Sequence, residues 1–118
     1  MTFFKTALCA AVALASASAL AGQEGKAIAV ERGSKVYYTY CVSCHGVSGE
    51  GNGQRAAKLQ TPPANLVQSR MPSDYKEKMI RKGSESFGLS QAMPPWEDEL
   101  SNENINDVIS FLDSLKKS

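Results

Sequence analysis

Cys41-Val42-Ser43-Cys44-His45 sets two thiols and an imidazole within five consecutive residues. Helical positions i and i+3 lie on one face, so the two sulfurs can point the same way, and His45, at i+4 from Cys41, projects beside them. Three other uses of the pattern compete. A zinc site needs about four ligands. His45 is the only histidine and Cys9 the only other cysteine, so carboxylates would have to complete the set, which suits a structural site poorly. A thioredoxin-like dithiol expects a βαβ surround, and no stretch alternates as strands do. A plain Cys41–Cys44 disulfide is the third. The spacing followed by histidine is instead the attachment signature of a c-type haem. One haem is expected, held by thioethers from Cys41 and Cys44 to the vinyl groups along one edge, with His45 as proximal ligand to the iron.

Upstream, Val36, Tyr37, Tyr40, Cys41 and Cys44 recur at i, i+3, i+4 and predict a helix over about Gly33 to Ser43. Downstream, Gly46 to Pro63 carries Gly46, Gly49, Gly51 and Gly53 and reads as loop. A second helix is expected from Ser73 to Lys82, with Ser73 as N-cap, Arg81 and Lys82 at the negative end and Gly83 as stop; Tyr75, Met79 and Ile80 would face inward. Gly88 to Glu97 is loop again, broken by Pro94-Pro95. The last helix is capped by Ser101, has Glu103 in its first turn, carries the stripe Ile105, Val108, Ile109, Leu112, Leu115, and closes on Lys116 and Lys117. The fold class is therefore all-α, three to four short helices with long connections. Such connections are unusual in so small a domain unless the loops pack on a large apolar cofactor.

The chain has 118 residues. Met1 to Ala21 has a lone basic residue, Lys5, an apolar run from Ala7 to Ala15, and a small-x-small end at Ala19-Leu20-Ala21. It reads as a signal peptide over 1–21 with the haem domain over 22–118, Ala15-Ser16-Ala17 being a second cleavage candidate. The rival, a transmembrane anchor, falls short of the roughly 20 apolar residues a span needs. A lipid anchor on Cys9 is disfavoured by bulky Leu8 before it. The 13 basic and 12 acidic residues balance once Lys5 is removed. No basic stripe points to nucleic acid and no polybasic cluster to a lipid surface. The expected location is the periplasm, with no membrane span in the mature chain.

With one histidine, the sixth iron position must go to another group, and electron carriers favour a thioether. Met93 is the first candidate, because Pro94-Pro95 after it make a stiff extended loop and Gly83 and Gly88 let that loop cross a haem face. Met71, before Pro72, and an open or water-bound position are the alternatives; Met79 fits a core stripe. Trp96 could cover the ring edge or donate to a propionate. Leu59, Leu66 and Ile109 are candidate pocket walls.

On these residues the chain resembles the class I c-type cytochromes, specifically the small soluble monohaem proteins of bacteria, from Gly33 to Leu115. Gly33 and Tyr37 match the family's Gly-x-x-x-aromatic pattern and Phe111 its C-terminal aromatic. The resemblance implies crossed terminal helices with those three residues structural. Gly49 to Gly53 followed by Pro62-Pro63-Ala64-Asn65-Leu66 looks like the post-haem loop, in which a proline carbonyl, Pro62 or Pro63, is implied to accept the proximal imidazole's hydrogen bond. Met93-Pro94 matches the axial methionine.

A His/Met iron changes oxidation state without changing ligands, so the expected function is electron transfer and not catalysis. Electrons would pass by the exposed thioether edge near Val42, Ser43 and the Ala92 to Pro94 loop, in brief encounters with redox proteins by a monomer or loose associate. Two other readings stand: a tightly bound haem subunit of a dehydrogenase or oxidase, and a five-coordinate gas sensor or peroxidase-like enzyme. The latter lacks an acid–base histidine, since His45 is committed to iron.

Overall fold

The computed structural model describes residues 6–116, with side chains from Ser16 onward. Lys5 and Lys117, and the side chain of Cys9, lie outside the described residues. Four α-helices, α1 (Thr6–Tyr40), α2 (Val42–His45), α3 (Ser73–Lys82) and α4 (Asn102–Ser114), are joined by loops holding short 3₁₀ turns at Ala56–Lys58 and Glu85–Phe87. Among the described residues there is no strand, so the chain is all-α as expected. None of these helices is long and apolar enough to cross a membrane.

The first helix departs from the expectation of a short element over 33–43. It is one 35-residue helix that starts at Thr6 and stops at Tyr40. Lys26, Ala27, Ala29, Glu31 and Arg32 are good helix formers, and Arg32 anchors the helix by a forked pair to Asp107, Nε to Oδ2 at 2.7 Å and Nη2 to Oδ1 at 3.0 Å. Glu103 lies 3.3 Å from the same guanidinium. These carboxylates, Asp107 above all through its hydrogen bond, raise the Arg32 pKa against the smaller opposing effect of burial. At its other end the helix breaks at Cys41 (φ −114°) and resumes as α2.

α1 and α4 cross where α1 has no room for a side chain. A Cβ on Gly33 would lie 2.9 Å from the Val108 nitrogen and collide with the Asp107 carbonyl. One turn on, Tyr37 is fully buried with its ring 5.1 Å from that of Phe111. Ile105, Val108, Ile109 and Leu112 of the α4 stripe complete this core, and Leu115 is half-buried at its edge. Ile109, considered as a pocket wall, belongs to this helix-crossing core. Ser101 caps α4 as expected, in a reciprocal box: its Oγ accepts from Asn104 N–H at 3.1 Å and Asn104 Oδ1 accepts from Ser101 N–H at 3.2 Å.

α3 has the expected span, but Pro72 occupies its N-cap and Ser73 is its first helical residue. The Ser73 hydroxyl is committed elsewhere, donating to Asp113 Oδ2 at 2.8 Å. Lys76 reaches Asp113 Oδ1 at the same distance and is buried, with Ile80, while Tyr75 and Met79 are half-buried. A buried ammonium is tolerable only when paired, so α3 is docked on α4 by this ion pair as well as by Ile80. Partial burial works to raise the Asp113 pKa, but the Lys76 and Ser73 hydrogen bonds, with the charges of Lys76 and Lys116, outweigh it and hold the carboxyl below its usual value.

Two outcomes follow from this packing. Gly33→Ala should destabilise the protein by about 2 kcal/mol, because the collision is with backbone that cannot rotate away, although alanine is intrinsically the better helix former by about 1 kcal/mol. A raised urea midpoint would mean the helices do not touch there. For Asp113, the folded pKa lies below the unfolded one, so its contribution is present above the unfolded pKa and is lost as pH falls through the folded value. Thermal stability should therefore drop on the acid side of the ordinary carboxylate range, and Asp113→Asn should flatten that drop while leaving the neutral-to-alkaline profile unsteepened.

Candidate haem site

Cys41 and Cys44 are both unbridged and half-buried. The helix break between α1 and α2 does not spoil their turn: Cys41 N–H still bonds Tyr37 O at 2.8 Å, and His45 N–H bonds Cys41 O at 2.9 Å. Burial, then the neighbouring Cys44, push the Cys41 thiol up to about 12. A thiol that initiates exchange needs the opposite, a depressed pKa, so Cys41 is ill suited to that role. Among the described residues no three His, Cys, Asp or Glu side chains gather to hold a metal ion, which leaves the zinc reading short of ligands.

The carbonyls at the end of α2 would be orphans, and the following loop supplies their donors. Arg55, Gly53 and Gly51 give their N–H groups to Ser43, Cys44 and His45 at 2.8, 3.0 and 2.8 Å. The loop thus runs back along α2, and a further bond from Leu66 N–H to Gly49 O at 2.7 Å closes it. From the other side, the Tyr37 hydroxyl donates to Gly46 O at 2.6 Å. The C-terminal part of the motif is thus held by three backbone donors and one side-chain hydroxyl.

The His45 Nδ1 lies 3.1 Å from the Ala64 carbonyl. A carbonyl only accepts, so Nδ1 carries the proton and Nε2 is the nitrogen left to bind a metal. This corrects the expectation of a Pro62 or Pro63 acceptor. Two consecutive prolines lack N–H groups and hold extended backbone, so they aim the next carbonyl instead of supplying their own. Burial lowers the His45 pKa, with the Ala64 bond opposing it, and the imidazole is neutral at neutral pH.

Met93 is half-buried and packs on the edge of the core, as do Cys41, Val42, Leu66 and Trp96. The Trp96 ring sits 5.4 Å from that of Tyr40, the residue before Cys41, which brings the 93–96 segment beside the motif. Trp96 N–H bonds Ile80 O at 2.9 Å. Gly83 ends α3 at φ +75°, and a Cβ there would lie 2.8 Å from Met93 O and 2.9 Å from Pro95 N, so only glycine lets this loop lie against the helix end. Met71, by contrast, is 49% exposed, and Leu59 is half-buried.

The donor set fits a haem. Two thiols occupy one turn, the adjacent imidazole has Nε2 to offer, and an apolar flank is covered by polypeptide on its core side alone. Cys41 and Cys44 would hold the group, His45 would ligate it and Leu66 and Trp96 would wall it. The acceptor Ala64, the clamp residue Ser84 described below and the Tyr40 platform were not singled out from sequence. Backbone carbonyls leave no side-chain signature, although the position after Pro62-Pro63 is a usable hint for Ala64.

No curated protein matches this chain. Among solved structures, a chain of the Kuenenia stuttgartiensis reducing HAO-like protein complex is similar, with a TM-score of 0.63 and 26% identity over 73% of this chain. This chain spans 42% of that one's length. The family model described as cytochrome c oxidase, cbb3-type, subunit III matches residues 28–112. That match takes in the thiol–imidazole turn, the returning loop, the Met93 segment and the helix crossing, and the chain belongs to this family of c-type cytochromes.

Proposed function

We propose that the chain is an exported monohaem electron carrier, with haem joined to Cys41 and Cys44, His45 on the proximal side and Met93 on the distal side. The observation that carries this reading is the His45–Ala64 bond beside two unbridged thiols. It fixes the imidazole's tautomer and orientation and leaves Nε2 for a metal. Bound haem supplies a one-electron Fe(II)/Fe(III) couple. The polypeptide's part is to keep the ligands still and the water out. The Ala64 carbonyl holds the ring and raises its basicity. Trp96, Tyr40 and Leu66 shield one side. A thioether ligand and an apolar wall both favour the reduced state and so a higher potential.

Residues 1–21 would serve as a cleaved leader and 22–118 as the carrier, working in the periplasm between redox proteins, with electrons leaving by the thioether edge near Val42, Ser43 and the Ala92 to Pro94 loop. The family description favours a second reading, in which the same haem domain is a fixed subunit of an oxidase. Native mass of the exported protein separates the two, a free carrier running alone and a subunit with its oxidase.

Intact mass after export with haem-maturation machinery should equal the chain from about Gly22 plus one haem, and Cys44→Ser should lose one of the two links. Bare polypeptide in the exported fraction would end this reading. Met93→Ala should abolish the thioether-to-iron absorption, open the iron to carbon monoxide and lower the potential by on the order of 0.1 V or more, within the roughly 0.8 V that axial ligands span. An unchanged absorption would remove Met93 as ligand.

A further inference from the structure

Ser84, two residues past the end of α3, is a buried polar side chain that neither the fold nor the haem motif calls for. Its carbonyl accepts from Phe87 and Leu89 N–H at 3.1 and 3.2 Å, while its N–H and hydroxyl turn to the Met93 segment. Its backbone N–H donates to Met93 O at 3.0 Å, and its hydroxyl oxygen accepts Met93 N–H at 3.2 Å. The hydroxyl hydrogen goes to the nearby Ser90 carbonyl, with Met93 O a more distant alternative at 3.4 Å. One residue therefore grips both backbone polar groups of Met93 and, through Ser90, closes the base of the 85–92 loop.

Met93 has special need of such a grip. Pro94 and Pro95 carry no N–H, so between Met93 and Trp96 the segment offers no backbone donor. Trp96 is secured to Ile80 O on the far side of that gap. On the near side Met93 N–H is the last donor, and the Ser84 hydroxyl is what receives it. Gly83 removes the Cβ that would otherwise hold the segment off.

We infer that Ser84 is a positioning residue for the distal ligand, locking the Met93 backbone so that its thioether stays on the iron. The inference rests on the Met93 assignment proposed above. A loop freed at Met93 N would let the sulfur swing away and expose the coordination position. A side chain that only supported the fold would affect stability without changing the ligand.

The test uses the haem-loaded, full-length protein. Ser84→Ala should raise the fraction of protein with Met93 off the iron roughly tenfold, the effect of about one lost buried hydrogen bond. It is read as a weakened thioether-to-iron band and as increased carbon monoxide binding by the reduced protein. Ser84→Thr keeps the hydroxyl and should restore both. Ser84→Cys, nearly the same shape with a weak acceptor, should fall between, and it serves if the alanine variant does not accumulate folded. Ser86→Ala is the control, since the Ser86 hydroxyl bonds Gly83 O at 2.8 Å in the same segment without touching Met93; it should leave band and ligand binding as they are. Native band and ligand binding in Ser84→Ala or Ser84→Cys, with Met93→Ala abolishing the band, would overturn the inference alone. A native band in Met93→Ala would overturn the ligand assignment and this inference with it.

Discussion

The contact between Gly33 and the backbone of Asp107 and Val108 governs the rest of the molecule. Two helices can approach this closely only where one of them has no side chain, and the approach fixes the angle and depth at which α1 meets α4. Tyr37, a turn later, is thereby driven into the core against Phe111. Its hydroxyl emerges on the far side at the Gly46 carbonyl, next to His45. The haem motif is thus located by a helix crossing it does not take part in. Arg32 adds a charge-assisted latch on the same crossing, with Asp107 almost wholly enclosed.

From that fixed point the motif is enclosed by backbone more than by side chains. The loop from Gly46 to Leu66 contributes donors to three successive carbonyls and one acceptor to the imidazole. It has little apolar surface of its own to bury, so its order derives from these bonds. The Met93 to Trp96 segment follows another principle, a proline pair that cannot donate, gripped at both ends by α3 and its extension. The two sides of the site therefore differ in stiffness for a chemical reason: one is laced by many amides, the other held at a few points.

The motif was legible because it is local: two thiols and an imidazole fall within five consecutive residues. The α4 helix was legible for the same reason, with Ser101, Glu103 and the apolar stripe all inside one element. What escaped sequence reading was non-local or lacked a side-chain marker. Arg32 and Asp107 are 75 residues apart, and neither looks unlike a solvated charge. Lys76 reads as a surface lysine until Asp113 is seen beside it. Ser73 has an ideal capping side chain, yet a partner on another helix outbids the local one. Ala64 acts through its carbonyl, which any residue possesses.

The long first helix has a consequence for how the chain matures. Residues 16–28 are exposed throughout, and at about 1.5 Å per residue they reach roughly 20 Å beyond the packed region. A peptidase acting near Ala21, as proposed above, would have to unwind backbone there. Gly22 and Gly25, with nothing within 4 Å, make unwinding easier by about 1 kcal/mol each relative to alanine, and no core contact has to break. If 1–21 is the leader proposed above, its removal would cost the packed helices nothing.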